Sequence, residues 1–226
     1  MKKIFLVAAV FIFGSAAYAQ TTTSSETRTR FGLKAGVNLP KYKYVNDEAN
    51  SSDESEASTN FHVTGYADIP VSSFFSVQPG ISLQGKGAKL YGSDDLRVTE
   101  DVLAIEIPVN LLANIPAGPG HFFLGAGPYV GFNVAGQIKT KGSGTFLGQQ
   151  YTVDTEEDLE IGDGDGDNIK AIDFGVNFLG GYQFSSGFNI GAGYGLGFTN
   201  LYPGSTSQTN LEKNNRILSF SVGYAF

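Results

Sequence analysis

The chain reads as all-β: an eight-stranded antiparallel up-and-down transmembrane β-barrel. Three observations carry that reading: an errorless alternation at the C-terminus, an export signal at the opposite end, and connections between alternating segments that run long, short, long, short. From Leu218 to Phe226, Leu218, Phe220, Val222, Tyr224 and Phe226 fall on one face, while Ser219, Ser221, Gly223 and Ala225 fall on the other. Successive side chains of a strand point to opposite faces, so one face is wholly apolar and ends on an aromatic ring, as suits a closing strand against lipid.

Residues 1–19 read as a secretory signal peptide. Lys2 and Lys3 form its basic start, Ile4 to Phe13 its apolar stretch, and Ala17-Tyr18-Ala19 the cleavage site before Gln20. The apolar run is far short of the roughly 20 residues of a spanning helix, and Gln20 in place of Cys argues against a lipid anchor. Residues 20–30 form a short polar linker, and 31–226 the barrel domain.

Eight segments alternate in order: 31–39, 60–69, 75–90, 102–114, 121–136, 171–182, 188–198 and 216–226. The first points Phe31, Leu33, Ala35, Val37 and Leu39 outward and Gly32, Lys34, Gly36 and Asn38 inward. The third sends Phe75, Val77, Ile81 and Leu83 outward against Ser76, Gln78, Ser82, Gln84 and Lys86, and the fourth sends Leu103, Ile105, Ile107, Val109 and Leu111 outward. The signal is weakest in the second, where Gly65 and Ala67 dilute the lipid face. Pro, Gly and Ser mark tight turns near 70–74, 115–120 and 184–187, whereas 40–59, 91–101, 137–170 and 199–215 read as long polar loops. Short periplasmic turns, longer extracellular loops and an even strand number are the habit of outer-membrane barrels, which puts both termini in the periplasm.

Aromatics gather near the short-turn end (Phe31, Phe74, Phe75, Phe122, Phe184, Phe188, Phe226) and again near the long-loop end (Tyr44, Phe61, Tyr91, Phe132, Phe198, Tyr202), as two interfacial girdles do. A soluble eight-stranded barrel of lipocalin type is the alternative; it requires the apolar face to be inside.

Composition narrows the function. The absence of cysteine removes disulfides, thiolate metal sites and cysteine nucleophiles. The 30 glycines, 41% hydrophobic and 16% charged residues fit a chain of which only the outer face needs to be apolar. Removing Lys2 and Lys3 takes the net charge from −7 to −9, which speaks against binding nucleic acid or an anionic surface through bulk electrostatics.

Inward positions hold Lys34, His62, Asp68, Gln78, Lys86, Glu106, Asn110, Asp173, Asn177 and Asn189. Glu106 lies among apolar neighbours, where a lone carboxylate is costly, so it is expected to pair with Lys34 or Lys86. With Asp173 these form the candidate lumen cluster, read as a salt bridge that fills the barrel or as a gate. Catalysis is not expected: His62 has only Thr64 and distant Asp68 near it in sequence, and His121 falls at a turn. Gly191, Gly193, Gly195 and Gly197 face inward in succession, leaving room for Tyr66, Phe123 or Tyr129 opposite, or a narrow groove. Eight strands enclose only enough space for side chains, so a broad pore is excluded.

The first long loop carries Asp47, Glu48, Asp53, Glu54 and Glu56; the third carries Glu156, Glu157, Asp158 and Glu160, followed by Asp163, Asp165 and Asp167. The last three have the spacing with which a calcium loop begins, but Asn168 replaces the turn glycine and Phe174 the bidentate Glu. They are a candidate cation-binding loop with Ca²⁺ as its ion; no other cofactor is expected.

Four stretches resemble the PorT-like outer-membrane β-barrel family, sometimes labelled porins: Phe31 to Asn38, Ile105-Glu106-Ile107-Pro108-Val109, Gly125 to Gly131, and Phe174-Gly175-Val176-Asn177. The resemblance implies a small barrel in the bacterial outer membrane and a final strand, with Tyr224 and Phe226, that barrel-assembly machinery reads. Within that class the expected role is non-enzymatic: structural, or surface interaction through long acidic loops with an extracellular partner. A narrow channel for small solutes or ions is the first alternative, and a subunit of a protein-secretion system the second.

Overall fold

The computed structural model describes residues 28–46, 48–93, 95–146, 149–204 and 211–226. The expected signal peptide, residues 20–27 of the expected linker, and Asp47 lie outside them. Among the described residues ten strands occur in the order β1 (Arg30–Asn46), β2 (Ser51–Glu54), β3 (Asn60–Pro70), β4 (Phe75–Gly92), β5 (Leu96–Ala117), β6 (Gly120–Phe146), β7 (Gln149–Asp158), β8 (Ile172–Phe184), β9 (Phe188–Gly197) and β10 (Leu211–Ala225). Eight of them close a ring. Pairing runs β1-β3-β4-β5-β6-β8-β9-β10, and β10 returns to β1 from Gly32 opposite Ala225 to Asn46 opposite Leu211. All these pairs are antiparallel, and closure satisfies the backbone of every wall strand, which a hydrocarbon environment requires. Among the described residues no helix is long and apolar enough to cross a membrane, which says nothing of a barrel.

The wall has its apolar face outside. Leu33, Ile81, Leu111, Phe174, Phe220 and Val222 are exposed, while Asn38, Ser76, Ser82, Glu106, Asn110 and Asp173 are buried. That is the reverse of a soluble barrel, whose apolar residues fill the inside. The three short connections are tight as expected. Gly118 and Gly187 adopt positive φ (57° and 92°), the left-handed conformation that costs glycine little. Ser72 accepts the backbone N–H groups of Phe74 and Phe75.

The long connections depart from expectation. Residues 40–46, 91–92, 96–101 and 137–146 are strand, not loop: β1, β4, β5 and β6 run past the apolar band as a projecting sheet to which β2 and β7 add. β5 and β6 alone stay paired from Leu96 opposite Gly142 to Ala117 opposite Gly120. Ladder pairing makes an extended strand as good a partner for polar side chains as a loop, so polarity by itself does not end a strand. Tyr44 also departs from the outer girdle. It shares the parity of Lys34 and Tyr42, points inward, and lies edge-on to Tyr42 at 6.2 Å between centroids.

Candidate functional site

The interior is built in layers, because inward residues of neighbouring strands are placed by register. Ser82 of β4 lies opposite Glu106 of β5, Glu106 opposite Gly131 of β6, and Gly131 opposite Asp173 of β8. Lys86, further along β4, reaches this level. Its Nζ stands 3.1 Å from Glu106 Oε2 and 2.9 Å from Asp173 Oδ2. Gly131 makes room for it: a Cβ there would come within 3.2 Å of the ammonium. Asp173 Oδ2 also accepts hydrogen bonds from Tyr129 OH (3.2 Å) and Asn215 Nδ2 (2.8 Å), and Glu106 Oε1 accepts one from Asn177 Nδ2 (2.9 Å). The Lys86 ammonium lies 4.7 Å from the centroid of the Tyr129 ring. Lys86 is 1% exposed and Asp173 not at all, so the cluster is shielded from bulk solvent.

A second layer sits on the long-loop side. Lys213 Nζ is 2.9 Å from both carboxylate oxygens of Glu100, Tyr42 OH donates to Glu100 Oε1 at 2.6 Å, and the ammonium stands 4.1 Å from the Tyr42 ring centroid. An apolar cap packs around it: Leu159 and Ile169 from the third long connection and Leu201 from the fourth pack with Tyr42, Ala88 and Val102. The cap is tied down by backbone bonds from Leu159 to Gly136 (2.9 Å), Lys170 to Leu201 (3.1 Å) and Leu201 to Lys213 (2.8 Å).

The half nearer the short turns is looser. Its cavity of about 90 Å³, lined among others by Lys34, Gln78, Asn110, Phe123, Gln183 and Asn189, has room for several waters. His62 Nδ1 lies 2.8 Å from Asn38 Oδ1, and the hydroxyls of Thr64 and Ser82 pair at 2.6 Å. Large rings sit over glycines: Tyr66 over Gly32, Tyr129 over Gly175, and Phe123 over Gly181 and Gly191. Of the inward glycines of β9, Gly191 receives Phe123, and Gly191, Gly193 and Gly195 line the cavity.

Of the expected lumen residues, the structure brings Lys86, Glu106 and Asp173 together and leaves Lys34 out. The Lys34 ammonium stands 5.7 Å from the Tyr66 ring centroid, and the partner of Glu106 is Lys86. Sequence reasoning missed Tyr42, Glu100 and Lys213, which fall in segments taken for loops. The alternation that begins at Phe31 does run on through Lys41, Tyr42, Lys43 and Tyr44, with the tyrosines in phase with Lys34, and could have revealed Tyr42.

The three aspartates of the third connection have separate neighbours. Asp167 Oδ2 accepts the Gly164 N–H at 2.6 Å, Asp163 O accepts the Gly204 N–H at 3.1 Å, and Asp165 lies against Gly204. Among the described residues no three His, Cys, Asp or Glu side chains are grouped to hold a metal ion. At the C-terminus, the Tyr224 and Phe226 rings are exposed and meet edge-on at 5.4 Å, and the Phe226 N–H donates to Phe31 O at 2.8 Å.

Solved structures similar to this chain include Ail, the attachment invasion locus protein of Yersinia pestis, at 12% identity and a TM-score of 0.41, covering 88% of this chain and 99% of that one. Neisserial surface protein A is similar at 12% identity and a TM-score of 0.37, covering 87% and 97%. The outer-membrane protein AlkL, solved in lipid bilayers, is similar at 12% identity and 0.40, covering 92% and 94%. No curated protein matches the sequence. The family described as outer membrane protein beta-barrel domain matches residues 18–202, and the chain belongs to it.

Proposed function

We propose that this barrel is a non-enzymatic surface protein, held in the outer membrane by its wall and acting through the projecting hairpins at its long-loop end, which faces the exterior while both termini face the periplasm. The observation that supports this over a channel is the filling of the lumen: two layers of buried ion pairs under an apolar cap. A conducting path needs a continuous wet line, and Lys86, Asp173 and Tyr42 are each almost wholly cut off from solvent. The reading takes membership of the PorT-like group for the chain, with barrel-assembly machinery as the partner during insertion and a protein on the cell surface as the partner afterwards. No resident cofactor is part of it. Adding Ca²⁺ is expected to leave the unfolding midpoint of the refolded barrel unchanged.

The test is planar-bilayer recording with the refolded mature barrel. The reading expects no discrete conductance steps, and reproducible steps overturn it in favour of the channel. Orientation is tested separately by single cysteines: one at Ser52 is expected to label from outside intact cells and one at Ser186 is not.

A further inference from the structure

The projecting sheet ends on β10 at one side and on β7 at the other. The β10 side is covered by the fourth long connection: Lys213 O accepts the Leu201 N–H at 2.8 Å, and the Asn200 amide bonds to Leu211 O and the Lys213 N–H (3.0 and 3.1 Å). The β7 side is open. β7 runs ten residues in unbroken register with β6, from Asp158 opposite Gln137 to Gln149 opposite Phe146, and no other strand lies beside it among the described residues. That is roughly twice the usual length of a strand, with no proline, glycine or bulge to blunt it as a pairing template.

Register fixes what this edge offers. The Leu159 N–H bonds to Gly136 O in the same register, so Tyr151, Val153, Thr155 and Glu157 turn their backbone groups to β6. Thr152, Asp154, Glu156 and Asp158 alternate with them and point their N–H and C=O away from β6, where no backbone partner lies among the described residues. Tyr151 and Val153 are exposed (53% and 39%) on the face that Ile138 turns to the cap, and the exposed Leu96 continues that face across Gly142. Carboxylates follow, with no cation on the strand. Asp154 is paired with Lys141 at 3.3 Å, and Glu156 lies opposite Lys139, which Asp101 already holds. Glu157 and Asp158, opposite Ile138 and Gln137, have no ion pair among the described residues.

Those charges decide between occupants. A second copy pairing β7 with β7 antiparallel sets carboxylate against carboxylate, which opposes association. We infer that the open edge of β7 takes up an extended segment of a partner protein as an added strand, with apolar side chains against Tyr151 and Val153 and lysine or arginine against Glu157 and Asp158. Main-chain bonds to the row from Thr152 to Asp158 hold such a segment, and the side chains choose it. Its use on the cell surface rests on the reading of the hairpins as the acting part of the molecule. Binding by the purified barrel does not, so conductance or labelling against that reading leaves the edge standing, and a failure of the edge leaves that reading standing.

The probe is a fluorescein-labelled peptide, Lys-Lys-Thr-Thr-Thr-Val-Thr-Val-Thr, read by anisotropy with the refolded barrel in lauryl maltoside. As an antiparallel added strand it sets its lysines against Asp158 and Glu157 and its valines against Val153 and Tyr151. Saturable binding is expected, weakened about tenfold by Thr152→Pro, which removes an N–H on the open side and spares the bonds to β6. Glu157→Gln with Asp158→Asn is expected to weaken it roughly fivefold. No saturable binding by the wild type, or unchanged affinity in Thr152→Pro, overturns strand addition, and equal binding of a peptide with glutamates for its lysines overturns the choice of a basic partner. A dimer of the barrel alone that Thr152→Pro dissolves gives the edge to a second copy instead. If Thr152→Pro does not fold, N-methylated peptides decide on the wild type: methylating one alternate set of amides is expected to abolish binding and methylating the other to spare it, and any other pattern overturns the proposal.

Discussion

The two halves of the lumen solve the same problem, filling a narrow polar interior, by different means. On the long-loop side full charges are buried and matched: Lys86 with Glu106 and Asp173, Lys213 with Glu100. On the short-turn side Lys34, its ammonium near the Tyr66 ring, and Asp68 share the space with amides, hydroxyls, glycines, a few rings and a small cavity. Burying ions is expensive, and only pairing with additional hydrogen bonds recovers the loss, so the charged half is rigid and intolerant of partial removal. The looser half keeps room for water beside its polar groups, and a lost hydrogen bond there can be replaced.

The largest effect expected from this contrast is at Asp173. Asp173→Ala leaves Tyr129 and Asn215 without an acceptor and Lys86 with only Glu106, at a cost of about 3–5 kcal/mol in urea unfolding of the refolded barrel. Asn110→Ala, in the looser half, is expected to cost about 1 kcal/mol or less. Comparable losses at the two sites erase the distinction.

Next in size is the choice of partner for Glu106. A double-mutant cycle of Lys86→Met with Glu106→Leu is expected to show coupling of about 1–3 kcal/mol, and the cycle with Lys34→Met below about 0.5 kcal/mol. Equal coupling to both lysines makes the cluster a diffuse field and not a pair.

Smaller effects are expected along the glycines. A Cβ on Gly181 would meet Ile190 O at 2.1 Å and Phe123 Cζ at 2.5 Å, and backbone cannot yield cheaply, so Gly181→Ala is expected to cost about 1–3 kcal/mol. At Gly193 the nearest atom is Ser219 Oγ at 2.8 Å, a hydroxyl that can rotate away, and Gly193→Ala is expected to change stability by only about 0.5 kcal/mol. The smallest effect belongs to the outer rim. Hydrogen bonds from Lys41 and Lys89 hold the exposed Glu54 and Glu56 carboxyls below their ordinary value of 4.5. Their contribution is therefore present above that value and lost as pH falls through the lower folded one. Replacing both with Gln is expected to flatten the acid limb of the stability curve slightly, and an unchanged limb removes these pairs from the account.

Much of the wall was legible before any coordinates. Phe75, Val77, Ile81 and Leu83 against Ser76, Gln78 and Ser82 needed only the period of a strand to be assigned to opposite faces. The charged half of the site was less legible. Lys86, Glu106 and Asp173 could be placed inside, but nothing in their spacing distinguishes Lys86 from Lys34 as the partner of Glu106. Glu100 and Lys213 were hidden for another reason: polarity around them imitates a loop, whereas ladder pairing carries β5 and β10 straight through.

By itself the sequence determined the sidedness of the wall and the order of its strands, because side-chain alternation and turn chemistry are local properties of the backbone. Only the tertiary structure decided which ions meet and what packs around them. Those contacts join residues dozens of positions apart, such as Lys86 and Asp173 or Glu100 and Lys213. They depend on the register of each strand around the closed ring, a quantity that no single strand contains.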